Sequence, residues 1–542
     1  MNPMGRPAAP AEGGRWVVLI ADGVSRSGLQ PLLEGGHFEV EQGGSGVEAL
    51  APALSRAHAL IVRSATTVDR TLLERAPRLP VVGRAGVGVD NIDLDAATER
   101  GIAVLNAPAG NTVSAAELTL ALVLAAVRRI PAADSSVRAG EWKRARFGGS
   151  ELRGKTLGLV GAGRIGGEVA RRARAFGMEA LAHDPYLTDE RARQLGVERT
   201  SLEEVLRRAD VLSLHVPLTE QTRGMLGAPE IASMKRGSFL VNVARGGVVD
   251  EAALAAALVE GHLGGAALDV FEEEPLRPDS PLRDAPNLVL TPHLGASTAE
   301  AQELVAVEIS KAVADALLHG DLSRALNAPA IGGEALRRLR PLLELARRLG
   351  RLASVLSPGG IKGVEVRYSG AAGEAMGALS SYALMGLLGA ILGEDQVNFV
   401  NARYLSDARG IGVSQHHLAR RTDYTEFVEI VVKAEGGQVR AAGALLGDRH
   451  LRVVRIDDYH VDVEPRGSLL VLRNRDVPGV IGRVGSLLGD AGLNIAEYHQ
   501  ARLSEGGEAL AAVAVDGRVD RDVLSRLREL PEITDARLVE LS

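Results

Sequence analysis

Short apolar runs recur at residues 16–20, 59–62, 81–83 and 104–106, and between them apolar positions return every three or four residues, as at 68–75 and 94–100. The runs read as strands buried on both faces and the intervening stretches as helices with one apolar side. Strict alternation of the two predicts a parallel α/β sheet. A helix at 114–129 is apolar nearly all round, which predicts burial between layers. Strand patterns resume at 156–160, 211–214, 238–241, 265–268 and 288–290, before a helix at 299–318. Ligands gather at the carboxyl ends of strands in such sheets. Three of these ends are polar: Arg63-Ser64-Ala65-Thr66, Arg84 to Asn91, and Asn106 to Asn111.

Beyond residue 327 the pattern changes. An Arg- and Leu-rich amphipathic helix at 336–356, a strand at 363–367, a small-residue helix at 376–392 and strands near 427–432 and 451–456 carry no acid, base or metal constellation. Binding or spacing is the expected role there. Residues 468–541 read strand, helix, strand, strand, helix, strand, the order of a ferredoxin-like α+β module. Residues 1–14, rich in Pro, Gly and Ala, are expected to lack regular structure, and they lack the apolar core of a signal peptide.

Composition narrows the class of protein. A chain of 542 residues is expected to divide into about three to four domains. Its 62 basic and 69 acidic residues are interspersed, for a net charge of −7, so no block offers the footprint that nucleic acid or an anionic membrane requires. Cysteine is absent, which excludes disulfides and thiolate chemistry. The longest apolar runs, 118–127 and 382–392, fall short of the roughly 20 residues of a membrane span. These features predict a cytoplasmic protein without nucleic-acid or membrane partners and without a metal site.

Candidate chemistry begins at 156–170. A strand pattern is followed by Gly161, Gly163 and Gly166 and then by helical periodicity at Ile165, Val169 and Ala170. Such a turn lets backbone N–H groups and a helix N-terminus approach a pyrophosphate. A second run ends at Asp184, 18 residues beyond Gly166, where a carboxylate can take a ribose 2′-hydroxyl and repel a 2′-phosphate. The expected cofactor is therefore NAD.

Three residues further on are candidates for hydride-transfer chemistry. Arg245 ends a strand pattern, where a planar fork could hold a carboxylate. Taken singly it reads equally as a surface ion-pair residue. Glu274 is one of three consecutive glutamates, and His293 follows a strand in Thr291-Pro292-His293. An isolated histidine or a solvated acidic run needs no special role.

Their order and spacing, with the glycine turn before Asn-Val-Ala-Arg-Gly, Asp-Val-Phe-Glu-Glu-Glu-Pro and Thr-Pro-His, resembles the D-isomer-specific 2-hydroxyacid dehydrogenases. Val62 to Thr66, Gly83 to Asp93 and Asn106 to Thr112 are similar to the motifs of the branch that acts on 3-phospho-D-glycerate. The resemblance implies a Rossmann-type doubly wound NAD-binding domain at 109–290 and a discontinuous flavodoxin-like substrate domain at 15–108 and 291–326. It also implies an intervening domain at 327–465, with a role in allosteric substrate binding, and a C-terminal ACT domain at 466–542.

The same resemblance implies roles for individual residues. Arg245 binds the substrate carboxylate and C2 oxygen, His293 takes the hydroxyl proton, and Glu274, selected by the Asp-Val-Phe-x-x-Glu-Pro pattern, stabilises the imidazolium. Around the cofactor it implies contacts from Arg164 and Ile165 to the pyrophosphate, from Val87, Val216, Val243 and Ala244, from Asp269 to the carboxamide, and from the segment His293, Gly295, Ala296. Val87 and Val216 stand where relatives often carry threonine, so only backbone or packing roles carry over there. Arg63, Ser64, Arg84 and Asn106 line the substrate side, and Arg144 enters from a neighbouring subunit of a homo-oligomer. Asn474, Asp476 and Asn494 fall where L-serine binds as effector, although Asn474 and Asp476 also read as turn-formers before Pro478-Gly479. Two alternatives stay open: a reductase of glyoxylate, hydroxypyruvate or 2-oxoglutarate in the same superfamily, and a non-catalytic corepressor that senses NAD and an amino acid.

Overall fold

The structure is a computed structural model that describes residues 14–418, 424–447 and 449–541. The expectation for the first fourteen residues therefore lies, all but Gly14, outside the described residues. Strands Trp16–Ile20, Phe38–Gln42, Ala59–Val62, Val81–Arg84 and Ala103–Asn106 form a five-stranded parallel sheet in the spatial order second, first, third, fourth, fifth. This is the flavodoxin-like order. The strand Phe38–Gln42 was not visible as an apolar run because it lies at the sheet edge and alternates Phe38 and Val40 with Glu39 and Glu41.

The helix Ala299–His319 returns to this first sheet from far along the chain. It starts on the Thr298 hydroxyl, which accepts from the Ala301 N–H, and it ends on Gly320 at φ +67°. A Cβ on Gly83 would lie 2.8 Å from Ile309, and one on Gly28 would lie 2.2 Å from Ala306. Helix and sheet approach too closely for any side chain at those two positions. Asn327 closes the return, accepting from the Val104 N–H and donating to Ile102 O.

A second parallel sheet holds seven strands. Thr156–Val160 lies inside it, with Glu179–His183 and Glu198–Arg199 on one side and Val211–Leu214, Phe239–Asn242, Gly265–Leu268 and Leu288–Leu290 on the other. The order reverses between Thr156–Val160 and Val211–Leu214, which puts a topological switch point at the glycine turn. The apolar helix Thr112–Val127 is buried between this sheet and the helix Arg164–Ala175.

Further along, six strands form a mixed sheet covered by the helices Gly333–Leu356 and Met376–Leu392. The two helices are pressed together at glycines: a Cβ on Gly386 would lie 1.8 Å from Arg347 O, and one on Gly350 would lie 2.0 Å from Ala383 O. The stretch Gly373–Leu392 is, among the described residues, the one helical segment long and apolar enough to cross a membrane, and 61% of its most apolar window is buried inside this fold. The last sheet joins Gly467–Arg475, Asn494–Arg502, Glu508–Asp516 and Ile533–Leu541, ordered second, third, first, fourth, all antiparallel. It is tied to the mixed sheet by Arg452, which donates to both oxygens of Glu497 at 2.9 and 3.1 Å.

Candidate active site

The glycine turn divides its glycines between two tasks. Gly161 adopts φ +94°, and a Cβ there would lie 2.6 Å from His215 O; a Cβ on Gly166 would lie 2.3 Å from Gly161 O. Gly161 serves the packing of the turn against the end of the neighbouring strand and Gly166 the packing of the helix against the turn. Gly163 is exposed, and a Cβ on it would meet nothing within 4 Å, so its bareness leaves room for a ligand at the N-terminus of Arg164–Ala175. Arg164 is exposed beside it and Ile165 is half-buried. Asp184, just beyond the neighbouring strand, accepts from the Ala162 and Tyr186 N–H groups, each at 2.9 Å, which fixes the carboxylate beside the turn. Val216, half-buried, closes the turn on the side of the adjacent strand. This cradle, with a helix N-terminus on one side and a carboxylate on the other, fits a dinucleotide whose 2′-hydroxyl is free.

His215 lies under the turn, half-buried, with Nε2 2.9 Å from the Ser213 hydroxyl. Burial pushes its pKa down to about 4 from the unfolded value of 6.5. The folded protein thus holds this ring neutral while the unfolded chain binds a proton, so its contribution is intact above pH 6.5 and is lost as pH falls toward 4. The loss is on the order of 3 kcal/mol. Urea midpoints measured from pH 7 to pH 4 should fall less steeply in His215→Gln; equal slopes would show that the ring does not carry this effect.

Arg245, Glu274 and His293 come from three separate strand ends and converge. Asn242 shapes the first: its Oδ1 accepts from the Ala244 N–H at 3.0 Å and its Nδ2 donates to Arg245 O at 2.8 Å. The turn leaves Val243 buried and carries Arg245 out over the cleft. Arg245 donates from Nη1 to Ala244 O at 2.6 Å and from Nε to Asp90 at 3.0 Å. His293 has φ +53°, a conformation that a non-glycine residue adopts only when its surroundings impose it. Asp269, fully buried, imposes it: Oδ1 accepts from the Leu294 N–H and the Thr291 hydroxyl, Oδ2 accepts from the Gly295 N–H, and its carbonyl accepts from the His293 N–H. The structure thus places Asp269 beneath the loop that carries His293, Gly295 and Ala296, with both carboxylate oxygens engaged by the chain.

His293 Nδ1 lies 2.7 Å from Glu274 Oε2, and Glu274 Oε1 accepts from the Phe271 N–H. Because the carboxylate accepts a hydrogen bond from Nδ1–H, the neutral ring presents an unprotonated Nε2 away from Glu274. Burial alone would raise the Glu274 carboxyl, but the hydrogen bond and charge of His293, the Phe271 N–H and Arg245 together hold it below the ordinary glutamate value. Glu274 is therefore ionised at neutral pH. Its neighbours Glu272 and Glu273 are exposed and do not reach the ring.

The other wall belongs to the first sheet. The Asp22 carboxylate accepts from the N–H groups of Arg63 and Thr66 and from the Thr66 hydroxyl, and Asn91 Nδ2 donates to Arg63 O and Thr66 O. This double anchorage holds the loop that carries Arg63 and the exposed Ser64. Arg84 packs against Gly86, at φ +156°, where any Cβ would lie 1.4 Å from its Nη1. Burial, followed by the neighbouring charge of Arg245, pushes the Arg84 pKa down to about 10, with Arg63 acting in the same sense and Asp90 and Asp22 opposing. Three guanidinium groups thus lie within electrostatic reach of one another across the cleft. Asn106 Nδ2 donates to Val87 O at 2.7 Å and fixes the loop between Arg84 and Asp90.

Two predicted groups stand apart from this cluster. Arg144 lies on an exposed short turn, Arg144–Phe147, and bonds to no described cleft residue. In the C-terminal sheet, Asp476 accepts from Arg502 and from the Gly506 N–H, and Asn474 is fully buried with Nδ2 on Arg475 O. Asn494, however, pairs with Asp516, whereas Asn474 pairs with Ala509 seven residues along the same strand. Seven strand residues separate sheet ends by about 23 Å. One chain therefore does not bring Asn494 to Asn474 and Asp476. Asp22, Asp90, Asn91, Asn242 and His215 were not among the candidates read from the sequence; the partners of the first three lie far along the chain, whereas Asn242 bonds Ala244 and Arg245 and His215 bonds Ser213, and for all five the position at carboxyl ends of predicted strands was the available signal.

Residues 120–295 match the family described as D-isomer specific 2-hydroxyacid dehydrogenase, NAD binding domain, residues 338–457 the D-3-phosphoglycerate dehydrogenase intervening domain, and residues 468–532 the ACT domain. The chain is 40% identical over 524 residues to the D-3-phosphoglycerate dehydrogenase of Bacillus subtilis, covering 97% of this chain and 99% of that one. It is 43% identical over 530 residues to that of Mycobacterium tuberculosis, with the same two shares. Among solved structures, D-lactate dehydrogenase from Aquifex aeolicus, complexed with NAD and lactic acid, is 32% identical with a TM-score of 0.51, over 58% of this chain and 100% of that one. On identity carried along nearly the whole of both chains, together with a glycine turn suited to NAD, this chain belongs to the D-3-phosphoglycerate dehydrogenase family of the D-isomer-specific 2-hydroxyacid dehydrogenases.

Proposed function

We propose that this protein oxidises 3-phospho-D-glycerate to 3-phosphooxypyruvate with NAD, the entry step of L-serine synthesis. The observation that carries the chemistry is the 2.7 Å contact between His293 Nδ1 and Glu274 beside Arg245, which leaves Nε2 free to accept a proton. Bound at the glycine turn, NAD supplies the hydride acceptor. Arg245 holds the substrate carboxylate and polarises the C2 oxygen, His293 Nε2 removes the hydroxyl proton, and Glu274 stabilises the imidazolium that results. Arg63 and Arg84 provide the cationic wall that a phosphorylated substrate needs, which favours 3-phosphoglycerate over glyoxylate, hydroxypyruvate or 2-oxoglutarate. Formation of NADH from 3-phospho-D-glycerate by the purified protein tests this reading. Binding of NAD without turnover on any 2-hydroxy acid would favour a sensing protein instead.

The protein is read as a cytoplasmic homo-oligomer. Trp142, Ile130 and Val137 expose 79%, 52% and 55% of their surface on the segment that carries Arg144, an apolar face that a second copy would cover. In that arrangement Arg144 serves the neighbouring cleft. Hybrids of Arg144→Ala and Arg245→Ala chains should then regain part of the activity that each homo-oligomer lacks, and hybrids as inactive as their parents would refute it. L-serine is the expected effector of the ACT domain. Because its candidate residues lie at opposite sheet ends, a complete serine site calls for Asn494 from another copy.

A further inference from the structure

Asp90 has no role in the chemistry above, yet it makes a side-chain contact to Arg245 that crosses from one sheet to the other. Arg245 Nε donates to Asp90 Oδ2 at 3.0 Å, while Nη1 is held by Ala244 O at 2.6 Å. Two acceptors on adjacent edges of a planar guanidinium fix its plane as well as its position. The Nη2 edge lies over Gly88, where a Cβ would be 1.8 Å from Nη2 and 2.8 Å from Asp90 Oδ2, so the pair occupies the space that a side chain at residue 88 would take. The Asp90 side chain is exposed, but the backbone that carries it is held. Its neighbour Asn91 donates to Arg63 O and Thr66 O, and the Ile92 N–H donates to Val89 O, so the loop cannot follow the arginine if it swings.

Charge makes the arrangement more than packing. Arg245 and Arg84 repel each other, Arg63 adds to the positive charge around Arg84, and Asp22 is occupied with the N–H groups of the Arg63 loop. Asp90 is the carboxylate in contact with the arginine's Nε. Without it, Nε would have no carboxylate partner and the plane would be held only through Nη1 on Ala244 O.

We infer that Asp90 is a positioning residue for Arg245: it holds the guanidinium plane across the cleft so that the free Nη2 edge meets the substrate carboxylate. Arg245 remains the group that touches substrate, and Asp90 acts through it. The inference rests on the proposed role of Arg245 in binding a 2-hydroxy acid.

Full-length Asp90→Ala and Asp90→Asn provide the test, because asparagine keeps an acceptor oxygen for Nε and removes the charge. On 3-phospho-D-glycerate, Asp90→Ala should lower kcat/KM by about 10-fold to 100-fold, with NADH affinity unchanged, and Asp90→Asn should recover part of that loss, the part carried by the acceptor oxygen rather than by the charge. A second measurement does not require turnover: in protein carrying ¹⁵N-arginine, the Nε–H resonance assigned to Arg245 by its absence in Arg245→Lys should exchange slowly with solvent, and fast in Asp90→Ala. An Nε–H resonance that Asp90→Ala leaves unchanged overturns the inference whatever the activity. Equal loss of activity in the Ala and Asn variants overturns it as well. If the unchanged protein oxidises no 3-phospho-D-glycerate while the Nε–H responds as expected, the proposed substrate fails and the pairing of Asp90 with Arg245 stands.

Discussion

His293→Ala should lower kcat for oxidation by about 10³-fold while leaving NADH affinity within about 2-fold of the unchanged protein. The ring has one nitrogen committed to Glu274 and the other free, and its backbone is held at φ +53° by Asp269 rather than by contacts of the ring itself. Truncation therefore removes the proton acceptor without releasing the loop. Oxidation needs the neutral ring and reduction the protonated one, so the unchanged protein should favour higher pH for oxidation and lower pH for reduction. In His293→Ala that opposition should vanish. Opposed profiles that persist in the variant would assign the proton to another group.

Arg84→Met should raise KM for 3-phospho-D-glycerate by about 10²-fold and at the same time leave the protein as stable as before or more so. Burial and then the charge of Arg245 bring the Arg84 pKa down to about 10 from 12.5, which means that the fold disfavours its charged form. Such a base contributes full stability only as pH rises above both values, and at neutral pH the whole penalty, on the order of 3 kcal/mol, is present. Its Nε has no hydrogen-bond partner among the described residues. A dianionic ligand would relieve the penalty, so inorganic phosphate should raise the Tm of the unchanged protein more than that of Arg84→Met. A marked fall in Tm on substitution, with KM unaltered, would make Arg84 a structural residue.

Much of the fold was legible because its strands are buried on both faces and therefore appear as unbroken apolar runs, from Ala59–Val62 to Gly265–Leu268. Two polar strands at sheet edges were not. Phe38–Gln42 alternates with glutamate, and Gly412–His417 is exposed along nearly its whole length, so neither carries the signal that burial writes into a sequence. The site divides in the same way. Arg245, Glu274 and His293 stand in local patterns that mark them, whereas Asp22, Asp90 and Asn91 look like ordinary turn residues until the fold supplies their partners, for Asp22 and Arg63 41 positions apart. The separation of Asn494 from Asn474 is likewise invisible locally, because it depends on strand register rather than on motif.

The central claim is that the Arg245–Glu274–His293 cluster works against a cationic wall selective for a phosphorylated 2-hydroxy acid. The ratio of kcat/KM for 3-phospho-D-glycerate to that for D-glycerate, which differs only by the phosphate, tests it most directly. With Arg63 and Arg84 engaging the phosphate, the account predicts a ratio of about 10³ or more. A ratio near unity, or one that favours D-glycerate, would contradict it.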